Sequence, residues 1–122
     1  MKLKICQILT PVLLMISNIG SAQYIQMDSL QRIGVCDEDG LEDMLTTMDL
    51  TVKNIEVTNG VFDPAVTLSY HLTLAGANTN DASIPDPTAF TNTINPQIVF
   101  ARSTNNITGC FSTEPLRIEV FL

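Results

Sequence analysis

The densest collection of residues able to do chemistry is the run Cys36-Asp37-Glu38-Asp39-Gly40, followed by Glu42, Asp43 and Asp49. Hard cations such as Ca²⁺ take six to eight oxygen ligands, and an acidic turn whose glycine lets backbone carbonyls point inward is one way to gather them. Asp37, Asp39, Asp43 and Asp49 are the candidate ligands, with Glu38 and Glu42 expected to point outward. The spacing does not follow the EF-hand pattern, which needs oxygen ligands at alternate positions before the glycine and a glutamate six residues after it. A solvated acidic turn leading into the first strand is the competing reading.

Catalytic constellations are weaker. The single histidine, His71, lies in the alternating stretch of residues 66–73, in a row with Thr67, Ser69 and Thr73, and reads as a solvent-facing strand residue rather than half of a Ser-His or Cys-His pair. No glycine-rich phosphate loop or pair of metal-ligating histidines occurs in the sequence. Glycoside chemistry needs a partly buried carboxyl as general acid, and the carboxylates of the acidic turn read as solvated. The expectation is a protein that is not an enzyme and needs no cofactor, Ca²⁺ being the one ion it could take. Asn106-Ile107-Thr108 matches an N-glycosylation acceptor, a pattern too short to carry weight.

The first residues bear on the compartment. Lys2 and Lys4 precede an apolar run ending near Ile19, and Gly20, Ser21 and Ala22 supply small residues for cleavage. This is the arrangement of a signal peptide, residues 1–22, and the run is too short and interrupted for a membrane span. Residues 23–34 then form a lead-in and 35–122 one domain. The expected location is extracellular or at the cell surface, with no membrane insertion once the signal is cleaved. Losing two of six basic residues against thirteen acidic ones takes the net charge from −7 to −9. Such a field repels phosphate backbones, so nucleic acid is not an expected partner.

Two cysteines, Cys36 and Cys110, remain after cleavage, and in an oxidising compartment they are expected to pair. Closing the long loop between them would stabilise the fold by roughly 4 kcal/mol in the chain-entropy model. Two free thiols are the alternative.

Strand signals dominate the elements that would position these groups. Val66, Leu68, Tyr70 and Leu72 alternate with polar residues and are expected to face inward. Ile98 and Phe100, then Leu116, Ile118 and Val120, alternate in the same way, with Asn105, Asn106 and Gly109 supplying the turn of a hairpin. Asn59-Gly60 between Ile55/Val57 and Val61/Phe62 carries a second hairpin signal, with a simple loop as the alternative. Residues 30–47 contain interrupted apolar positions that make no long helix; a helical turn around residues 42–45 or just after Asp49 is compatible with the pattern. Residues 76–96 read as a long polar surface loop, pegged to the core by Ile84 and Phe90. About seven short strands with frequent turns favour an all-β immunoglobulin-like sandwich.

Several segments taken in order, Cys-Asp-Glu-Asp-Gly at 36–40, Met-Asp-Leu-Thr at 48–51, Leu-Ser-Tyr-His-Leu at 68–72, Pro-Asp-Pro-Thr-Ala-Phe at 85–90, Asn-Pro-Gln-Ile-Val at 95–99 and Asn-Asn-Ile-Thr-Gly-Cys-Phe at 105–111, carry a family likeness. The chain resembles the tandem Ig-like or PKD-like repeats of large flavobacterial surface adhesins and gliding-motility-associated proteins, the kind that precede type IX secretion domains. The resemblance runs over residues 35–122. It implies a sandwich module with Cys36 and Cys110 at opposite ends of the repeat, acting as a spacer or binding domain toward a protein or glycan at the cell surface.

Overall fold

The computed structural model describes residues 30–58, 60 and 63–122; the expected signal peptide and most of the Asn59-Gly60 hairpin signal lie outside these residues. Among the described residues there are six strands: β1 (Ile33–Cys36), β2 (Thr47–Met48), β3 (Val66–His71), β4 (Phe90–Thr91), β5 (Gln97–Asn105) and β6 (Phe111–Phe121). Four of them form a sheet in the order β1-β6-β5-β3, and β2 and β4 form a two-stranded sheet. The architecture is all-β and sandwich-like.

The β5–β6 hairpin is its spine. Asn105 Oδ1 accepts from the N–H groups of Ile107 and Thr108, and Gly109 takes the positive φ of 77° that the turn needs. Pairing continues in register from Thr104↔Phe111 to Gln97↔Ile118. β3 adds antiparallel to the far side of β5, and β1 adds parallel to the last four residues of β6, with Ile33 opposite Ile118 and Cys36 opposite Phe121.

The core lies between this sheet and a second layer that contains β2, β4, a 3₁₀ turn at Leu50–Lys53 and the one-turn helix α1 (Asn54–Val57). Leu50, Val57, Met48 and Phe90 from that layer meet Tyr70, Val99, Ala101, Leu116, Ile118 and Val120 from the sheet. Tyr70 keeps its polar end satisfied by donating its hydroxyl to Asn54 Oδ1 at 2.8 Å, and burial holds its phenol above the usual range.

The helical turn after Asp49 forms as the pattern allows, because the Asp49 carboxylate accepts the N–H of Thr51 at 2.8 Å and caps it. None forms at 42–45, where Met44 instead adopts a positive φ of 60°. Ile55 and Val57, read as strand, belong to α1; Val57 is buried and Ile55 is exposed.

The stretch read as a long loop is more ordered than its composition suggests. It opens with helix α2 (Leu74–Thr79), capped by the Thr73 hydroxyl at one end and closed by Asn80 in the left-handed region at φ 56°. It then runs through a 3₁₀ turn at Pro87–Ala89 into β4, with Phe90 buried and Ile84 packed against the core as expected. α2 lies on the outer face of the sheet, and a Cβ on Gly76 would come within 2.9 Å of the Asp81 carbonyl, so glycine is what allows the close approach.

That helix changes the fate of His71. Tyr70 is buried, as the alternation predicts, but His71 is also wholly buried, and Leu72 lies beyond the strand and is 53 % exposed. The face assigned to solvent is covered by α2. His71 Nδ1 lies 2.8 Å from the Asp81 carbonyl, which can only accept, so Nδ1 donates, while Nε2 meets Ser69 Oγ at 2.8 Å. The imidazole has no exposed surface and ties α2 and the following turn to β3.

Arg102 does the same for β5. Its Nη1 donates to the carbonyls of Ala77 and Asn78 at 2.7 and 3.1 Å, its Nε donates to Thr104 Oγ1, and its guanidinium lies 3.8 Å from the centre of the Phe111 ring. Replacing Arg102 with alanine removes these contacts and leaves the buried carbonyl of Ala77 without its guanidinium donor. The expected loss is about 2–4 kcal/mol in a urea melt. Arg102→Lys recovers part of it; a change below about 0.5 kcal/mol in the alanine variant contradicts this role.

Candidate functional site at the Cys36 end

β1 and β6 finish side by side. The Asp37 N–H donates to the Phe121 carbonyl at 2.7 Å, so the chain leaves the sheet beside the end of β6 and enters the acidic turn. Gly40, at φ 95°, reverses the backbone there. Three aspartates then accept backbone N–H groups within the turn: Asp39 from Leu41, Asp43 from Leu45, and Asp37 Oδ2 from Met44, all at 2.7–2.9 Å. These are Asx-type contacts, by which a short carboxylate folds a loop around itself.

Two buried or half-buried asparagines clamp the turn to the sandwich. Asn92, 1 % exposed, accepts from Thr46 N–H at 2.8 Å and donates to the carbonyls of Met44 and Ile94. Asn95 pairs with the backbone of Val120 in both directions, at 2.8 and 2.9 Å. Both fall in the stretch whose composition predicts a surface loop; nothing in their spacing distinguishes an asparagine that turns its own chain from one that holds another.

Of the four aspartates proposed as ligands, Asp37, Asp39 and Asp43 come together, each offering an oxygen within 4.8 Å of the others. Asp37 Oδ1 is a buried oxygen without a hydrogen-bond partner. Asp49 does not join them, because its carboxylate is occupied in capping the 3₁₀ turn. Glu38 and Glu42 are exposed and lie outside the cluster. Three carboxylates can supply half of a Ca²⁺ shell, the rest coming from carbonyls or water.

The expected Cys36–Cys110 disulfide is not formed. Cys36 is an exposed free thiol, and the half-buried Cys110 is not bonded to it. The reason is the register: Cys36 pairs with Phe121 at the end of β6, whereas Cys110 immediately precedes Phe111 at its start. At about 3.3 Å per residue the two are roughly 30–40 Å apart, while a disulfide needs Cα atoms within about 7 Å. The register of β1 on β6 thus holds the two cysteines at opposite ends of β6.

The end of the sandwich at which Cys36 lies is apolar as well as acidic. Leu41, Met44, Ile94, Phe121 and Leu122 are all exposed, and Met44 Sδ accepts from the Asn95 amide at 3.2 Å. Arg32 leans over the Phe121 ring and pairs with Glu119, which Arg117 also contacts at 2.8 Å; these partners hold the Glu119 carboxyl below its usual range.

No curated protein and no solved structure matches this chain. The model of one family, described as the Flavobacterium inter-domain disulphide bond domain, matches residues 32–122. This match covers the whole sandwich, with both Cys36 and Cys110 inside it, and the chain belongs to that family.

Proposed function

We propose that this domain is a non-catalytic module of a secreted or cell-surface flavobacterial protein, one that spaces neighbouring domains and is cross-linked to one of them through Cys36. The observation that carries this reading is an exposed free thiol at one end of the sandwich, out of reach of Cys110, in a family described by disulfides between domains. The signal-peptide pattern supports an oxidising compartment, in which such a bond persists. The likeness to tandem Ig-like or PKD-like repeats of surface adhesins and gliding-motility proteins supports a place in a multidomain surface assembly. The exposed apolar side chains at the Cys36 end of the sandwich give a docked neighbour something to bury beside the bond.

Peptide mapping of the protein isolated from cells with thiols blocked at lysis tests this directly. The peptide bearing Cys36 is expected in disulfide linkage to a cysteine of another domain, outside residues 1–122, and Cys36→Ser is expected to abolish that linkage without changing the melting temperature of the isolated domain. Quantitative alkylation of Cys36 in the untreated protein, or its recovery linked to Cys110, contradicts the reading.

A second reading, a Ca²⁺-binding accessory module, is favoured by the gathering of Asp37, Asp39 and Asp43 and by the unpartnered oxygen of Asp37. Crowded carboxylates repel one another, a cost that a bound cation removes. A true site is expected to show saturable heat in a Ca²⁺ titration, with a rise in melting temperature that Asp39→Asn eliminates. If NaCl of equal ionic strength produces the same rise, the effect is screening and the turn is structural.

A further inference from the structure

The hydrogen-bond register fixes which way each residue of β6 faces. Asn105 donates to the Cys110 carbonyl and Asn106 donates to the Ala65 carbonyl, so odd-numbered residues of β5 bond to β6 and even-numbered ones to β3. On β6 it follows that Ser112, Glu114, Leu116 and Ile118 turn their backbone groups toward β5, while Phe111, Thr113, Pro115 and Arg117 turn theirs away. The contact from Asp37 N–H to the Phe121 carbonyl, on the β1 side, agrees with this alternation.

β1 covers only Ile118 to Phe121. Among the described residues no strand pairs with the outer edge of β6 from Phe111 to Leu116. Such an edge is a template for another strand, and the nearest source at high local concentration is the same strand of a second copy. Pro115 lies in this open stretch, exposed, at a position whose backbone nitrogen faces outward. It therefore costs the β5–β6 ladder no hydrogen bond, yet removes one of the three N–H groups that Phe111, Thr113 and Pro115 would otherwise present.

We infer that Pro115 guards the open edge of β6 against pairing with a second copy, keeping adjacent modules from merging their sheets. Glu114 reinforces it. Through Ala101 it shares the core face with Tyr70, and it is half-buried. A strand docked alongside would bury this carboxyl further; burial already raises its pKa.

The test uses the full chain with its free thiol kept reduced, in sedimentation across a wide concentration range. The natural sequence is expected to remain monomeric. Pro115→Thr, with its N–H restored, is expected to self-associate at least about tenfold more tightly, and Glu114→Gln to add to the effect. Pro115→Ala restores the N–H with the smallest side chain and serves if the threonine variant folds poorly by circular dichroism. Folded variants that sediment as the natural protein does overturn the inference. Hydrogen exchange on the unmodified protein is an independent check: the amides of Phe111 and Thr113 should exchange fast and those of Ser112 and Glu114 slowly. Equal protection of all four would mean that the edge is already covered, and would equally overturn it.

Discussion

The parallel pairing of β1 with the last four residues of β6 is the constraint on which the rest of the molecule depends. It buries Ile33 and Ile118 against the same core, brings the chain out of the sheet at Cys36, and delivers the acidic turn to the same end as Phe121 and Leu122. Because β6 is eleven residues long, the same pairing puts Cys110 at the other end of the sheet. A Cys36–Cys110 cross-link would require β1 to leave this register, and with it the burial of Ile33 and the packing of Val35 against the core.

Polar groups do much of the joining in a domain whose core is mainly aliphatic. Asn92 and Asn95 hold the acidic turn, Asn54 meets Tyr70, His71 and Arg102 hold α2 against the sheet. Buried polar side chains are retained where each has its partners, because an unmet donor or acceptor costs more than a made bond contributes. The network also fixes loops that lack the apolar area to pack by themselves. Asp37 Oδ1 is the buried exception, and it lies within the aspartate cluster.

The elements legible in the sequence were those whose burial has a single period. The existence of the β5–β6 hairpin, the inward residues of β6 and Tyr70 of β3 follow from alternation. In β5 the faces are exchanged: Val99 and Ala101 are the buried set and Ile98 is exposed, because a continuously apolar run such as 98–101 does not mark which side meets the core. His71 was misplaced because α2 covers the other side, and α2 itself was obscured by Gly76, Asn78 and Asn80, residues that favour turns and here serve close packing and the helix end. Ile55 and Val57 sit next to a strong turn signal, yet tertiary packing of Val57 and the bond from Tyr70 to Asn54 make the segment helical. Asp37, Asp39 and Asp43 were found together as their crowding suggests, whereas Asp49 was claimed by a local cap. The cysteine pairing failed for a different reason: counting thiols in an oxidising compartment says that bonds form, but only topology says how far apart two thiols lie.

The separation of Cys36 and Cys110 is therefore the quantity on which the account turns. Spin labels attached to both, in a reduced chain with Cys6→Ser, allow it to be measured by pulsed dipolar spectroscopy. The β1–β6 register predicts a distance distribution centred at roughly 30–40 Å, set by eleven residues at about 3.3 Å each. A population below about 15 Å would place the two cysteines at one end of the sandwich and contradict the assignment of Cys36 as an outward-facing cross-linking thiol.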